Sequence, residues 1–240
     1  MPASLTEAAI EQVRELIASG SLSPGERLPP EAELAESLGT GRNTMREAVR
    51  ALVSARVLEI RRGDGTFVTS LRPELLLAGI GAAADLLHDD FTLELVQVRR
   101  ILEPAATRFA ATRITDEELA ELDALLHRMS TAASHEEKIE HDEAFHQIVA
   151  AASGNATLAS MLNGVSSRTT RGRVWRGVIE AGAIDRTISE HTAILAALRA
   201  HDPQLAEAAA LLHVSTTEHW FASLVNAPEP PTDSSASPTR

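Results

Sequence analysis

Hydrophobic positions recur every three or four residues through most of the chain, which predicts a protein built mainly from amphipathic helices. The N-terminal region contains three such patterns, the last of them over 43–55, and glycines at positions 20 and 39 mark the ends of the first two. Two β-rich runs follow at 57–60 and 66–69, and the glycine-containing turn between them predicts a β-hairpin. Three helices followed by a hairpin are typical of a winged helix-turn-helix.

The rest of the chain keeps the helical spacing and lacks strand signals. The predicted helices cover 73–87, 92–112, 115–131, 135–152, 155–173, 184–200 and 203–226. Such a series predicts an antiparallel helical bundle. The fold class is therefore mainly α, with a winged helix-turn-helix at 1–70, a helical effector-binding and dimerisation domain at 71–226, and a tail at 227–240. The tail is rich in Pro, Ser and Thr, and we expect it to be disordered.

Composition excludes several classes of protein. The chain contains no cysteine, which excludes a disulfide scaffold, a thiolate metal site and a cysteine nucleophile. The longest uncharged apolar run, at 75–84, is shorter than the roughly 18–20 residues of a membrane span. The N-terminus carries Glu7, Glu11 and Glu15 and does not resemble a signal peptide. We therefore expect a cytoplasmic protein with no membrane partner.

The charge distribution favours a nucleic-acid partner despite a net charge of −12. Residues 42–62 contain six arginines and only two acidic residues, whereas residues 71–240 contain 14 basic and 24 acidic residues. A concentrated basic patch decides where a polyanion docks, while the overall charge governs solubility.

The basic patch lies on one face of the third predicted helix. The side opposite the apolar positions presents Arg42, Asn43, Arg46 and Arg50. Arginine reads guanine and asparagine reads adenine in the major groove, and the second helix of a helix-turn-helix presents its N-terminal residues to the bases. Arg62 and Gly63, at the hairpin tip, are placed to reach the adjacent minor groove. The alternative is a solvated arginine face on an ordinary helix, which the neighbouring turn and hairpin disfavour.

The N-terminal region resembles the GntR family of bacterial winged-helix regulators. The resemblance covers nearly all of residues 8–70 and rests on five motifs: Ser19-Gly20, Pro24-Gly25-Glu26-Arg27-Leu28-Pro29, Glu33-Leu34-Ala35, Arg46-Glu47-Ala48 and Gly63-Asp64-Gly65-Thr66-Phe67-Val68. It implies, for the FadR branch of that family, DNA contacts at Arg42, Asn43, Thr44, Arg46, Arg62 and Gly63. The branch usually has Arg at the position of Ala32 and Thr or Ser at that of Gly41. These two departures mean that the operator sequence does not carry over from relatives.

Four polar residues fall on apolar helix faces in the second region: Asp142, His146, His191 and His213. Asp142 and His146 are spaced i, i+4, so both side chains point the same way. A buried carboxylate and three buried imidazoles are each costly without a partner, and one divalent metal ion satisfies all four. This donor set suits Zn, Ni, Co, Mn or Fe(II). On the residues alone, hydrogen-bonded core histidines are an equally good interpretation.

The region 92–220 resembles the FCD ligand-binding domain of FadR-type regulators. The matching pieces are Arg99-x-x-Leu102-Glu103, Asp142-x-x-Phe145-His146, Ala152-Ser153-Gly154-Asn155, Glu190-His191-x-x-Ile194-Leu195 and His213. Many FCD domains bind a metal through one Asp and three His at these positions. The resemblance therefore implies one divalent transition-metal ion per chain (Zn, Ni or Mn, the identity being open).

Two arginines are candidate contacts for an effector. Four protein ligands on a six-coordinate ion leave two positions open, which suit a small organic acid. Arg99 lies on an apolar helix face and needs an anion, either the effector or Glu103 one turn away. Arg171 belongs to a cationic helix with Arg168 and Arg173, which either lines the same cavity or is solvated.

Together these features predict a homodimeric transcriptional regulator that is not an enzyme. Its partners are double-stranded, pseudo-palindromic operator DNA and a small organic acid effector, since two-fold half-sites supply the recognition that one helix lacks. Repression relieved by the ligand is the usual mode in the family that the chain resembles. Three alternatives remain: the metal itself is the signal, the metal is purely structural, or the metal activates water in an enzyme.

Overall fold

A computed structural model describes residues 4–77 and 92–225, except for the side chains of Arg168, Arg171 and Val225. The chain divides into two compact units, Met1–Ala83 and Ala84–Arg240. The part of the predicted helix at 73–87 that follows residue 77, and the predicted tail at 227–240, lie outside the described residues.

The first unit is the predicted winged helix-turn-helix. Its helices and strands are α1 Leu5–Ala18, α2 Glu31–Ser37, α3 Arg42–Ser54, β1 Leu58–Arg61, β2 Gly65–Val68 and the short α4 Pro73–Leu76. The two strands pair antiparallel, with Leu58 opposite Val68 and Arg61 opposite Gly65. Val13, Met45 and Val49 lie in a shared apolar core, so the helical spacing of the sequence is the spacing of the buried side chains.

Gly65 holds the hairpin against the turn that precedes α2. Backbone bonds join Leu28 to Thr66 and Val68 to Glu26, so the segment at 25–28 runs beside β2. Gly65 has φ +126°, and a Cβ there would lie 2.7 Å from Nε of Arg27. The backbone conformation therefore requires glycine, whereas the Arg27 side chain could move away from a Cβ.

Replacing Gly65 with alanine is expected to destabilise the hairpin. A residue other than glycine in such a backbone conformation costs about 1–3 kcal/mol. Amide hydrogen exchange of β2 should accelerate accordingly. Gly41→Ala is the matched control because Gly41 has an ordinary φ of −76°, and a Cβ there would make only an ordinary van der Waals contact, 3.6 Å from Thr44 Oγ1. Unchanged protection in Gly65→Ala would contradict this account of the hairpin.

The second unit is a helical bundle. Its helices are α5 Thr92–Ala111, α6 Asp116–Thr131, α7 His135–Ala152, α8 Ala156–Ile179, α9 Ala183–Arg199 and α10 Pro203–Val225. Helix α5 packs against α10, α8 and α7, while α9 packs against α10 and α6. Residues 92–225 contain no strand. The largest core cluster includes Leu122, Phe145 and Leu198. Across the described ranges, no helix has both the length and the apolarity needed to cross a membrane.

Helix α8 is longer than the sequence predicts, ending at Ile179 instead of 173. Beyond Gly172, arginines occupy positions of the apolar pattern, and the sequence therefore predicts that the helix ends at 173. Arg173 and Arg176 nevertheless continue the buried stripe of the helix. Arg176 donates to Thr217 Oγ1 at 2.9 Å and to Glu180 Oε2 at 2.6 Å. Hydrogen bonds to the buried Thr217 and the partly exposed Glu180 thus replace apolar contacts over the last two turns.

Candidate metal centre and nucleic-acid interface

The four predicted metal ligands come together in the bundle. Asp142 and His146 stand one turn apart on α7, His191 is on α9 and His213 is on α10. Each offers a donor atom, and these atoms all lie within 4.8 Å of one another. Asp142, His191 and His213 are buried, and His146 is nearly so. The inward orientation that the helical spacing predicts is therefore confirmed.

The three imidazoles aim the same ring nitrogen at one point. Nε2 of His146 lies 3.2 Å from Nε2 of His191 and 3.2 Å from Nε2 of His213. Oδ1 of Asp142 lies 3.5 Å from Nε2 of His191. A neutral ring nitrogen carries either a proton or a lone pair, so three converging nitrogens cannot all be satisfied by each other. A cation placed among them accepts all three lone pairs, so the residues present fit a divalent metal.

Burial keeps two of the rings in the form that ligates metals. Desolvation lowers the pKa of His146 and of His191 well below the ordinary value, and the neighbouring His213 lowers both further. At neutral pH these rings are therefore uncharged and can donate lone pairs.

A carboxylate outside the cluster orients the ring of His213, and a second carboxylate lies near His146. His213 Nδ1 lies 2.9 Å from Oε2 of Glu190, so Nδ1 donates its proton and Nε2 keeps the lone pair. His146 Nδ1 lies 3.5 Å from Oε2 of Glu103. Neither carboxylate was predicted for this role from the sequence. The signal available for Glu190 was its position directly before His191 in the motif quoted above.

His191 has a different environment. Its ring is fully buried and stacks on Phe145 with centroids 4.4 Å apart. Its Nδ1 has no hydrogen-bond partner among the described residues. Such a buried unsatisfied nitrogen is rare, and ligation through Nε2 would leave the ring proton on Nδ1 without supplying it an acceptor.

Arg99 lies beside this centre and is paired internally. It is 1% exposed, donates from Nε to Glu103 Oε1 at 2.6 Å and donates from Nη1 to Thr169 Oγ1 at 3.0 Å. The alternative that Glu103 holds Arg99 is thus confirmed by the geometry. For Arg171, the side chain lies outside the described residues, and its contact with an effector stays a prediction.

Arg173 is a central residue that the sequence analysis left undecided. Its guanidinium contacts the carboxylate of Asp142, and its Nε is buried without a partner among the described residues. Burial and the nearby Arg99 lower the pKa of Arg173 to about 9, so it stays charged at neutral pH. The signal that could have found it is the buried stripe of α8, in which Arg173 follows Thr169 by one turn.

The fixed charges make the centre selective for a cation first and an anion second. Three carboxylates, those of Asp142, Glu103 and Glu190, face the two guanidiniums of Arg99 and Arg173, so these five side chains carry one net negative charge. A divalent cation is therefore attracted, and its binding reverses the sign. An anionic group is then favoured in the same place.

The lowered pKa values predict a pH-dependent stability for the metal-free protein. Above the ordinary histidine pKa of about 6.5, both the folded and the unfolded chain are neutral at His146 and His191. Below this pH, His146 and His191 take up protons in the unfolded chain but not in the folded chain, so the free energy of unfolding falls as the pH falls. Each ring contributes a slope of up to about 1.4 kcal/mol per pH unit.

Urea unfolding in a chelator at a series of pH values measures this slope. The double variant His146→Gln/His191→Gln should show a shallower decline in the free energy of unfolding as the pH falls. Equal slopes in the two proteins would contradict the assignment of the lowered pKa values.

The candidate DNA-reading face lies at the start of α3. Arg42, Asn43 and Arg46 are exposed, and Arg46 donates from Nη2 to Asn43 Oδ1 at 3.2 Å. Met45, Ala48, Val49 and Leu52 face the core, so the predicted division of this helix is confirmed. Thr44 is half-buried, and Arg50 pairs with Glu47 at 3.1 Å, which leaves Arg50 less available to bases.

The hairpin tip presents Arg62 and Gly63 between β1 and β2. Both are exposed, and Gly63 has φ +78°, a conformation that glycine adopts without strain. Arg61 folds back, with its guanidinium 4.1 Å from the ring centroid of Phe67 and a salt bridge to Glu59. Of Arg61 and Arg62, Arg62 is therefore the one whose charged group is free at the hairpin tip.

Comparison with known proteins matches both units. Residues 5–68 match the model of the bacterial regulatory proteins of the gntR family, and residues 94–216 match the model of the FCD domain. The galactonate operon transcriptional repressor of Escherichia coli (strain K12) is 31% identical over 90% of this chain and 96% of that protein. The HTH-type transcriptional regulator LutR of Bacillus subtilis (strain 168) is 32% identical over 85% of this chain and 94% of that protein.

A solved structure agrees with these matches. Streptococcus agalactiae GntR superposes with a TM-score of 0.68 at 29% identity, covering 90% of this chain and 99% of that chain. GntR regulators bind operator DNA and small effectors, and FCD domains often bind a metal ion. The chain therefore belongs to the GntR family of bacterial transcriptional regulators, with a winged-helix DNA-binding region followed by an FCD domain, and is not an enzyme.

Proposed function

We propose that the protein is an operator-binding repressor that senses a small carboxylate at a divalent transition-metal ion. The ion is held by Asp142, His146, His191 and His213. The observation that carries the proposal is the convergence of three Nε2 atoms, with His146 lying 3.2 Å from each of the other two. The repressor acts in the cytoplasm, where its operator lies.

The surrounding residues prepare the ligands for this ion. Glu190 accepts a hydrogen bond from Nδ1 of His213, so this ring keeps its Nε2 lone pair turned inward, and Glu103 Oε2 lies 3.5 Å from Nδ1 of His146. A bound ion supplies a Lewis acid with coordination positions beyond the four protein donors. The donor set contains no thiolate and suits Zn, Ni or Mn.

Arg173 and Arg99 make the same site a receptor for an organic acid. Both guanidiniums are buried next to the metal ligands, and Arg173 keeps an unsatisfied Nε. Arginine pairs with carboxylates through two parallel hydrogen bonds, which gives orientation as well as affinity. We place Arg173 ahead of Arg171 in this role because its guanidinium reaches Asp142. A sugar acid is the first candidate, since a relative is a galactonate operon repressor.

The winged-helix unit supplies the DNA contacts. Arg42, Asn43 and Arg46 meet base edges, whereas Arg50 and Thr44 lie where phosphates pass. Arg62 and Gly63 meet the minor groove. Two copies bind a pseudo-palindromic operator, and the carboxylate lowers operator affinity by favouring a dimer arrangement that does not fit both half-sites.

A thermal unfolding screen tests the sensing function. Protein stripped with a chelator is reloaded with Zn, Ni or Mn and mixed with galactonate, lactate or citrate. A true effector should stabilise the metal-loaded protein by about 2.7 kcal/mol at 100 times its Kd. The metal-free protein should gain little, because the effector then lacks its main anchor. Equal stabilisation with and without metal would contradict the proposal.

A metal-responsive regulator is the second candidate. The observation that favours it is that Asp142 and the three histidines by themselves complete a four-coordinate site. Titrating metal against operator affinity without any organic acid separates the two functions. A change in affinity caused by metal alone favours the metal-responsive regulator, and a change that requires the acid favours the carboxylate sensor.

A further inference from the structure

A third extended segment lies beside the hairpin of the winged-helix unit. Arg27 forms an antiparallel bridge with Phe67, so this segment borders β2 on the side away from β1. The backbone N–H of Leu28 donates to the carbonyl of Thr66 at 2.8 Å. Side chains alternate between the two faces of an extended chain, and Leu28 is buried in the core while Arg27 is exposed. Arg27 therefore stands on the outer face of the hairpin.

The guanidinium of Arg27 lies against the backbone of Gly65. A Cβ at Gly65 would lie 2.7 Å from Nε and 3.2 Å from Nη2 of Arg27, so the planar group packs across this glycine. Gly65 is the first residue of β2 and directly follows the turn that carries Arg62 and Gly63. The positive charge of Arg27 is therefore held at the base of the hairpin tip.

This charge is available to a partner. Within residues 4–77 and 92–225, no carboxylate pairs with the guanidinium of Arg27. The adjacent Glu26 turns back to its own loop, where Oε2 accepts from the backbone N–H of Ser23 at 2.9 Å. Arg61 on β1 is instead paired with Glu59 at 2.6 Å. An anion that approaches Arg27 thus has no internal ion pair to break.

The dimensions of DNA place this charge at a phosphate. The minor groove of B-DNA is about 6 Å wide, so a hairpin tip fits between its walls. Three extended segments side by side, spaced at about 4.8 Å, span about 10 Å and do not fit. Groups at the base of the tip therefore face the sugar–phosphate walls. A guanidinium matches a phosphate through two parallel hydrogen bonds.

We propose that Arg27 binds a phosphate of the DNA strand that borders the minor groove entered by Arg62 and Gly63. Arg27 fixes the position of the hairpin on the duplex and reads no base. The inference rests on the proposed function, since it requires the hairpin tip to lie in the minor groove of an operator.

Gly65 prepares Arg27 for this contact. A long side chain that is free in solution loses conformational freedom when a phosphate fixes it. Packing across Gly65 restricts the guanidinium before DNA arrives, so less freedom remains to be lost. The ammonium of lysine has no planar group that packs in this way. Arg27→Lys should therefore keep the charge but bind DNA a few-fold more weakly than wild type.

The salt dependence of DNA binding by the full-length protein tests the role of Arg27. The probe is a duplex enriched by wild type from random-sequence DNA, titrated at several KCl concentrations. Each lost phosphate contact lowers the slope of log affinity against log salt by about 0.9, so two copies of Arg27→Gln should lower it by about 1.8. At about 0.1 M KCl the affinity should fall at least about tenfold, on the enriched duplex and on random duplexes alike. Arg27→Lys should keep the wild-type slope.

Arg14→Gln is the matched control, because Arg14 is exposed on α1 and already paired with Glu11. Its affinity and its slope should equal those of wild type. If Arg27 only supports the fold, Arg27→Gln will melt at a lower temperature with an unchanged slope, and that result would overturn the inference. A changed base preference in the sequences that Arg27→Gln enriches would also overturn it, because it indicates a base contact. Failure of wild type to enrich any sequence would overturn the operator-binding function as well, so the two failures are distinguishable.

Discussion

Replacing His146 with alanine is expected to reduce divalent-metal affinity at least about a hundredfold. Its Nε2 is the atom that lies 3.2 Å from both other imidazole nitrogens, so its loss opens the centre of the cluster. Four-ligand zinc sites bind with roughly 10–16 kcal/mol, which is about 3 kcal/mol per ligand. Replacing His146 should disturb the fold less than replacing His191 would, because the His146 side chain is 11% exposed while His191 is fully buried.

Competition with a chromogenic chelator measures the change in metal affinity. His219→Ala is the matched control, since His219 is exposed on the same helix as His213. The metal affinity of Glu190→Gln should lie between those of His146→Ala and His219→Ala, with a loss of about 10–100-fold, because Glu190 orients His213 and does not itself bind the metal. Wild-type affinity in His146→Ala would show that the imidazoles are ordinary core histidines.

Replacing Arg42 and Arg46 together with alanine is expected to abolish sequence-specific DNA binding. Each bidentate arginine–guanine contact contributes about 1–3 kcal/mol, and a dimer loses four such arginines. The expected loss is therefore at least about a thousandfold, which brings the affinity to the level of non-specific binding. The core of the unit should be untouched, because both side chains are exposed.

A duplex enriched by wild type from random-sequence DNA serves as the probe in a gel-shift titration. Arg14→Ala should bind as wild type does, since Arg14 is exposed on α1 and pairs with Glu11. Arg50→Ala should weaken binding modestly on all sequences, as expected of a phosphate contact. Retention of specific binding by the double variant would contradict the assignment of the reading face to the start of α3.

The architecture follows from the sequence because local patterns specify it. Met45, Ala48, Val49 and Leu52 are spaced for one buried side of a helix, and they are buried together in α3. The capping box at Thr115 and Glu118 marks the start of α6, where the structure shows both capping hydrogen bonds. The end of α8 could not be predicted in the same way, because its buried arginines also bond to Asp142 and Thr217, which are distant in sequence.

The metal site shows the same division between local and distant signals. Polar residues on apolar stripes identified Asp142, His146, His191 and His213, since burial of such groups demands a shared partner. Arg173 reaches Asp142 across 31 positions of sequence, and helical spacing alone does not reveal that pairing. Glu190 was equally hidden, because its carboxylate orients His213 on another helix.

X-ray absorption of the zinc-loaded protein tests the central claim most directly. The account predicts Zn–N distances of about 2.0–2.1 Å, no sulfur neighbour, and outer-shell scattering from three imidazole rings that decreases to two in His146→Ala. A first shell of water oxygens with one imidazole or none, or a spectrum that is unchanged in that variant, would contradict it.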